Sequence, residues 1–329
     1  MTIRIRDVAK IAGVSPTTVS RFVNDQIRLP EATRRRIRLA IELTGYRPNL
    51  HARRLSTGRS DSIGLVIPDI ANPFFARLAA AVEDEADARR LELSLFVTLN
   101  RPGRERAYIE ALARNQVDGL IFATNHAEHD LLRAQQVAPG RMVLVDEDVP
   151  GLPAPRVFCD NYGGGLLAGR HLAALGHRRV AYLGAGPELM SGRLRLAGLR
   201  AGLAEGAHVV EALCSYTREG GAAAASRLAA RETGVTAIFA AADEVAIGVL
   251  QVLRERGLRV PDDFSLVGFD DVEPLHLFDP PITAVRQPID AIGRHAVDLL
   301  AAPEDGPERQ GEMVLPVELV ERASCAPVT

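Results

Sequence analysis

Two patterns of apolar spacing divide the chain. Over residues 3–45 apolar positions recur at helical spacing, broken by turn residues. Asp7-Val8-Ala9-Lys10-Ile11-Ala12 reads as a short helix, and Gly13-Val14-Ser15 interrupts it. Ser15 is a natural N-cap and Pro16 suits a first helical position, so a second helix is predicted from Pro16 to Val23. A third starts at Pro30-Glu31-Ala32-Thr33, runs to about Leu43 and stops at Gly45. Val8, Ile11, Val14, Val19 and Phe22 are expected to close a small core among these helices.

From Ser62 onward short apolar runs alternate with helical stretches. The predicted strands are Ile63–Ile67, Leu93–Val97, Gly119–Ala123, Met142–Val145, Val180–Leu183, Val209–Leu213, Ala237–Ala240 and Leu266–Phe269. Strands that are apolar throughout, with helices between them, predict parallel sheets covered on both faces. So many units exceed one compact sheet, and two α/β lobes are expected. Ligands in such folds bind beyond the carboxyl ends of the strands.

Composition adds three points. The chain has 329 residues, 47% of them apolar, which is enough for more than one domain. No apolar run reaches the ~18 residues of a membrane span, and MTIRIRDVAK has no apolar stretch of a secretory signal. Cys159, Cys214 and Cys325 are odd in number and far apart, against a disulfide framework or a thiolate metal site. A cytoplasmic protein associated with the nucleoid is the expectation.

Charge sharpens the picture. Residues 1–60 hold 13 basic and 4 acidic side chains, a balance of +9, and the rest hold 26 and 38, a balance of −12. A basic head on an acidic body is the electrostatic footprint of a nucleic-acid-binding module. A helix-turn-helix needs a tight turn and a second helix that reaches base edges in the major groove. Gly13 permits the turn, and Pro16, Thr17, Ser20 and Arg21 project from the start of the second helix. Arg21 can pair bidentately with guanine, a contact worth about 1–3 kcal/mol of discrimination. Thr18 and Asn24 suit phosphates, which position the protein without reading sequence.

These residues resemble a known family. Ile5 to Ser15, then Thr18-Val19-Ser20-Arg21, Asn24 and Gly45-Tyr46-Arg47-Pro48-Asn49 are similar to the lactose-repressor (LacI/GalR) family. The resemblance continues through Gly64-Leu65-Val66-Ile67-Pro68, Asn72-Pro73-Phe74-Phe75, Val117-Asp118-Gly119, Asp160-Asn161 and Gly176-His177-Arg178-Arg179-Val180. Gly268-Phe269-Asp270-Asp271, Pro281 to Pro288 and Glu321-Arg322-Ala323-Ser324 complete it, so it covers essentially the whole chain.

The family implies an all-α helix-turn-helix headpiece joined to an α/β, two-lobed, periplasmic-binding-protein-like domain with parallel sheets and three crossovers. The boundaries expected are 1–47 for the headpiece, 48–61 for a hinge and 62–329 for effector binding and dimerisation. The first lobe takes about 62–160 and 286–325, the second about 161–285. It also implies a homodimer, or a tetramer, on a pseudo-palindromic operator. Asn49, Ala52, Arg53 and Leu55 resemble the hinge segment that folds on operator DNA. Leu55 matches an apolar wedge, cheapest to insert at a pyrimidine–purine step, so a central CG step is expected. Leu50 and His51 depart from the residues common there.

For the effector, the resemblance implies a cleft lined by Asn72, Phe74, Phe75, Asp146, Asp160, Arg195, Tyr216 and Asp270. Carboxylates, an arginine and flat rings suit a sugar or sugar derivative. Two departures widen the choice to a nucleoside, a nucleobase or an amine-bearing metabolite. Asp146-Glu147 stands where many sugar-binding members have Asp-Arg, and Ala242-Asp243 where many have Asn-Asp. Repression follows the family's habit.

Other classes fit less well. Gly184-Ala185-Gly186 follows a strand, but a dinucleotide fingerprint needs a third glycine where Leu189 stands. His126-x-x-His129-Asp130 reads as a polar loop rather than a metal site, and no nucleophile elbow or phosphate loop appears. An enzyme is not expected, nor a cofactor, nor a membrane partner. A transport-type binding protein would fit the body alone, not the attached head.

Overall fold

The structure, a computed structural model, describes residues 3–23, 27–46, 60–126, 141–229, 234–302 and 311–328. The chain divides into two compact units, Met1–Ser60 and Asp61–Thr329.

The first unit holds α1 (Ile5–Ala12), α2 (Pro16–Val23) and α3 (Glu31–Thr44). Gly13 ends α1 in left-handed backbone, φ 65°, which is strained for residues with a Cβ. Ser15 caps α2: its Oγ accepts the Thr18 backbone N–H at 3.0 Å and shares a 2.8 Å hydrogen bond with the Thr18 hydroxyl. Losing such a cap costs about 1 kcal/mol, roughly fivefold in a local opening equilibrium. Ser15→Ala is therefore expected to speed amide exchange in α2 about fivefold, read on the full chain by hydrogen–deuterium exchange mass spectrometry. Unchanged exchange would mean that tertiary packing alone holds α2.

Val8, Ala9, Ala12, Val19, Ile37 and Ala40 form the core, with Val14 and Phe22 partly buried against it. Ile11 departs from expectation and is 56% exposed. Successive helical residues turn by about 100°. The buried stripe of α1 runs through Val8, Ala9 and Ala12, which leaves Ile11 on its flank.

The second unit is two packed lobes. The first contains β1 (Ser62–Ile67), α4 (Pro73–Ala88), β2 (Glu92–Val97), α5 (Pro102–Ala113), β3 (Gly119–Phe122), β4 (Met142–Val145) and β5 (Arg156–Cys159). The second contains α6 (Asn161–Ala174), β6 (Arg179–Gly184), α7 (Met190–Gly202), β7 (His208–Leu213), α8 (Arg218–Ala229), β8 (Ala237–Ala240), α9 (Asp243–Glu255), β9 (Ser265–Asp270) and β10 (Thr283–Arg286). The chain returns to the first lobe with α10 (Ile289–Ala301) and β11 (Glu312–Leu315), then closes with β12 (Glu318–Val320).

One sheet has the order β11-β5-β4-β3-β1-β2 and is parallel throughout. The other has the order β12-β10-β9-β8-β6-β7, parallel except where β12 runs antiparallel to β10. The central strands β1, β3, β4, β8 and β9 are buried along their length, as their unbroken apolar runs require.

Sequence patterning misses four strands, β5, β10, β11 and β12. Each has three or four residues, and each carries at least one charged or polar residue. The lobe boundary also needs correction. The segment 286–325 was expected in the first lobe, but β12 joins the second sheet and Ser324 is bonded into it. The Ser324 Oγ donates to the Leu266 carbonyl at 2.5 Å and accepts the Thr283 N–H at 2.8 Å. The polypeptide therefore passes between lobes at Asp160, at Gln287-Pro288 and at Pro316-Val317.

Helices α6 and α7 meet backbone to backbone. A Cβ placed on Gly198 would lie 2.0 Å from the Tyr162 carbonyl oxygen, and one on Gly165 would lie 2.1 Å from that of Arg195. This close approach holds Arg195 at the inner edge of the second lobe.

Candidate functional site

In the head unit, Pro16, Thr17 and Arg21 are exposed, Ser20 and Thr18 half-buried, and Val19 buried. The buried valine anchors α2 against α1 and α3 and turns the opposite face, with Thr17 and Arg21, to solvent. Five of the nine predicted DNA contacts thus share one short helix. Asn24, Ala52, Arg53 and Leu55 lie outside the described residues, as do Asn49, Leu50 and His51.

In the second unit, residues from both lobes line one cavity. From the first lobe come Asn72, Phe74 and Phe75 at the start of α4, Asn125 after β3 and Asp146 after β4. From the second come Ser191 and Arg195 on α7, Tyr216 after β7, Ala242 after β8 and Asp270 at the end of β9. Its free volume is about 20 Å³, room for about one water, so a larger ligand requires the lobes to open.

Local structure sets each group in place. Asn72 caps α4, its Oδ1 accepting the Phe74 N–H at 2.9 Å, and this aims the two rings inward. Phe74 and Phe75 are each 3% exposed and pack edge to face with centroids 5.0 Å apart. Asp146 and Asp270 both occupy left-handed backbone, φ 69° and 106°. Such strain at non-glycine residues is characteristic of functional positions.

Arg195 is the hub. Its Nε donates to Asn161 Oδ1 at 2.7 Å, and Nη1 donates to the Ala241 carbonyl at 2.6 Å. The guanidinium carbon lies 3.7 Å from the centre of the Phe269 ring and 5.5 Å from that of Tyr216. Burial opposes its charge, but Tyr216, Asp270, Cys159 and Asp146 hold its pKa above the ordinary value.

Burial pushes the Asp146 carboxyl up to about 7, against the pull of Arg195 and helped by Glu147 and Asp270. Burial likewise pushes Asp270 up to about 6, although Arg195 and the 2.7 Å hydrogen bond from Gln287 Nε2 favour its carboxylate. Behind it Asp243 is raised by burial and then by Asp270. Its Oδ2 accepts the Val272 N–H at 2.8 Å, while Oδ1 has no partner among the described residues.

Glu147 reaches from the first lobe to the first turn of α7. Its Oε1 accepts the Met190 N–H at 2.6 Å, and its Oε2 accepts the Ser191 hydroxyl at 2.6 Å and N–H at 3.2 Å. A carboxylate at a helix N-terminus is stabilised by the unsatisfied N–H groups there. The contact ties the two lobes together beside the cavity.

Seven of the eight predicted cleft residues converge on this cavity; Asp160 does not line it. Its Oδ1 accepts the Gly163 N–H at 2.7 Å, so it is the N-cap of α6. The first crossover begins there, and α6 needs its first-turn donors satisfied. Sequence reasoning missed Asn125, Ser191 and the positioning residues Asn161 and Gln287, and named Ala242 only as a departure from the Asn common there. The rule that ligands lie past strand ends could have found Asn125 and Ala242. Nothing local marks Ser191.

Comparison with known proteins places both units. The model for bacterial regulatory proteins of the lacI family matches residues 4–49, and a periplasmic binding protein-like domain matches residues 170–325. The HTH-type transcriptional regulator DegA of Bacillus subtilis is 36% identical across 100% of this chain and 99% of its own length. The HTH-type transcriptional repressor PurR of Mannheimia succiniciproducens is 34% identical over 90% of each chain. The crystal structure of the lac repressor dimer bound to operator and an anti-inducer superposes with a TM-score of 0.87. It is 28% identical and covers 99% of this chain and 100% of that one.

Proposed function

The chain belongs to the lacI family of bacterial regulatory proteins, a DNA-binding transcription regulator and not an enzyme, and from that premise we propose a repressor whose operator affinity is set by a small molecule in the inter-lobe cavity. It binds a pseudo-palindromic operator as a homodimer. The effector is a sugar or sugar derivative or, as the alternative, a nucleoside, a nucleobase or an amine-bearing metabolite. The observation that carries this reading is that both lobes supply walls of one cavity, Asp146 and the Phe74–Phe75 pair from one side, Arg195 and Asp270 from the other. A ligand held by both sides fixes the lobe spacing, and the spacing sets how a dimer presents two heads. The coupling expected is about 1–3 kcal/mol. Thr17, Ser20 and Arg21 read bases, Pro16 and Thr18 set the helix start and meet the backbone, and Asn24, Ala52, Arg53 and Leu55 complete the contact.

The test is selection of sheared genomic DNA by the full chain, with sequencing of what is retained. A recovered palindrome with a central CG step supports the reading and the wedge at Leu55. No enriched motif, alone or with sugars and nucleobases added, would sink it. Arg21→Ala in the same selection is expected to relax preference at one base pair in each half-site, a loss of about 1–3 kcal/mol. Uniform weakening on all sequences would make Arg21 a phosphate contact instead.

A further inference from the structure

The charges around the cavity are unbalanced. Among the described residues lining it, two carboxyls, Asp146 and Asp270, face a single cation, Arg195. Glu147 and Asp243 stand buried behind them. Three observations bear on what this arrangement accepts.

First, the two features that would receive an anion are already engaged. The N–H groups of Met190 and Ser191, at the start of α7, point to the Glu147 carboxylate. Arg195 gives Nε to Asn161, Nη1 to the Ala241 carbonyl, and its face to Phe269. An incoming carboxylate or phosphate would meet two acids, with Nη2 as the one guanidinium nitrogen of Arg195 not committed to Asn161 or Ala241.

Second, acceptors are left over. The Asp146 side chain lines the cavity, yet accepts no hydrogen bond among the described residues. Asp270 receives Gln287 Nε2 on Oδ1 and only a 3.4 Å approach of the Asp243 N–H on Oδ2. Asp146 is half-buried, an acceptor taken partly out of water without a donor is costly, and a ligand supplying N–H groups removes that cost.

Third, three aromatic rings stand beside Asn72, Asn125, Ser191 and Ala242 in the remaining wall. Phe74, Phe75 and Tyr216 line the same space. Ring faces attract an ammonium and offer nothing to a carboxylate.

Taking the cavity as the effector site, as the reading above does, we propose that the effector is a cation, a small amine-bearing molecule of the amino-polyol or alkylamine class, with its ammonium between Asp146 and Asp270. The departure of Glu147 from the arginine of the resembling pattern then has a reason. It removes a positive charge from the cleft and fills the helix N-terminus that an anion would use.

A proton linkage follows. Arg195, Glu147 and Asp270 surround Asp146, and Arg195, Gln287, Asp243 and Glu244 surround Asp270. With Asp146 at about 7 in the free cleft, an ammonium favours its carboxylate and binding releases a proton. Affinity for an amine is expected to be about tenfold weaker at pH 6 than at pH 8.

The test is thermal unfolding of the full chain at pH 8 against three matched sets. The cations are putrescine and N-methylglucamine, the neutral compounds sorbitol and glucose, the acids gluconate and glucuronate. The expected result is a rise in melting temperature that grows with concentration for a member of the first set only, weakens about tenfold in concentration at pH 6, and is lost in Asp146→Asn. Stabilisation by the neutral or acidic set, by no set, or undiminished amine response in Asp146→Asn overturns the proposal. Operator selection separates this from its premise. A chain that selects an operator but ignores amines loses only the cationic effector, whereas a chain that selects no DNA loses the regulator reading itself.

Discussion

Gly198→Leu is expected to destabilise the second unit by about 3 kcal/mol or more, the upper end of overpacking costs. Even a Cβ there would lie 2.0 Å from the Tyr162 carbonyl oxygen and 2.8 Å from the Leu166 nitrogen. These are backbone atoms of α6, so no side chain can swing aside; the helices themselves must separate. Separation would break the matching contacts at Gly165, Gly169 and Gly202, where a Cβ would meet backbone at 2.1–2.4 Å. It would also shift Arg195, one turn earlier on α7, off the Phe269 ring. Urea unfolding checks this, with Gly103→Leu as the control, since nothing lies within 4 Å of a Cβ at that position. Equal midpoints for the two variants would show that α6 and α7 do not depend on the close approach.

Arg195→Met is the second large effect. Methionine preserves much of the volume but removes the one cation among the described residues lining the cavity. Asn161 Oδ1 and the Ala241 carbonyl lose their donors, and Asp146 and Asp270 lose the charge that lowers their pKa. Breaking a buried charge set this way costs about 3–5 kcal/mol. The sign with pH is specific. A carboxyl raised in the folded state favours folding below its unfolded pKa, and that contribution is lost as pH rises through the folded value. Asp146 already sits at about 7 and Asp270 at about 6, and the variant raises both further. The deficit is therefore larger at pH 8 than at pH 5.5. Melting curves of both chains at the two pH values decide it. A deficit independent of pH would mean that Arg195 acts through packing, not charge.

Legibility differs between the two halves of the chain for a physical reason. In the head, turn and cap are local. Ser15 caps the helix it precedes, and Gly13 turns the chain at its own position. Only Ile11 is misread, because an eight-residue helix has too few turns to define its buried stripe by period. In the second unit, the central strands are legible because both faces are buried and the run is apolar throughout. Strands β5, β10, β11 and β12 are short and mixed, and pairing rather than composition makes them strands.

The cleft follows the same logic. Asn72, the two phenylalanines, Asp146, Arg195, Tyr216 and Asp270 are legible from resemblance because they stand in motifs. Asp160 stands in one too, yet its oxygen goes to Gly163, since a helix start needs an acceptor more than the cavity does. Ser191, Asn161 and Gln287 enter only through partners 44, 34 and 17 residues away.

What the sequence by itself determined is therefore the order of elements, the basic head, the parallel sheets and the set of chemical groups that converge. These rest on interactions within a few residues or on burial of whole segments. Only the tertiary structure decided which carboxylate faces the cavity and which caps a helix, that Glu147 spans the lobes, and that Arg195 is engaged before any ligand arrives. Each of those outcomes depends on a partner brought close by folding, and one side chain has several possible partners until the backbone leaves it one.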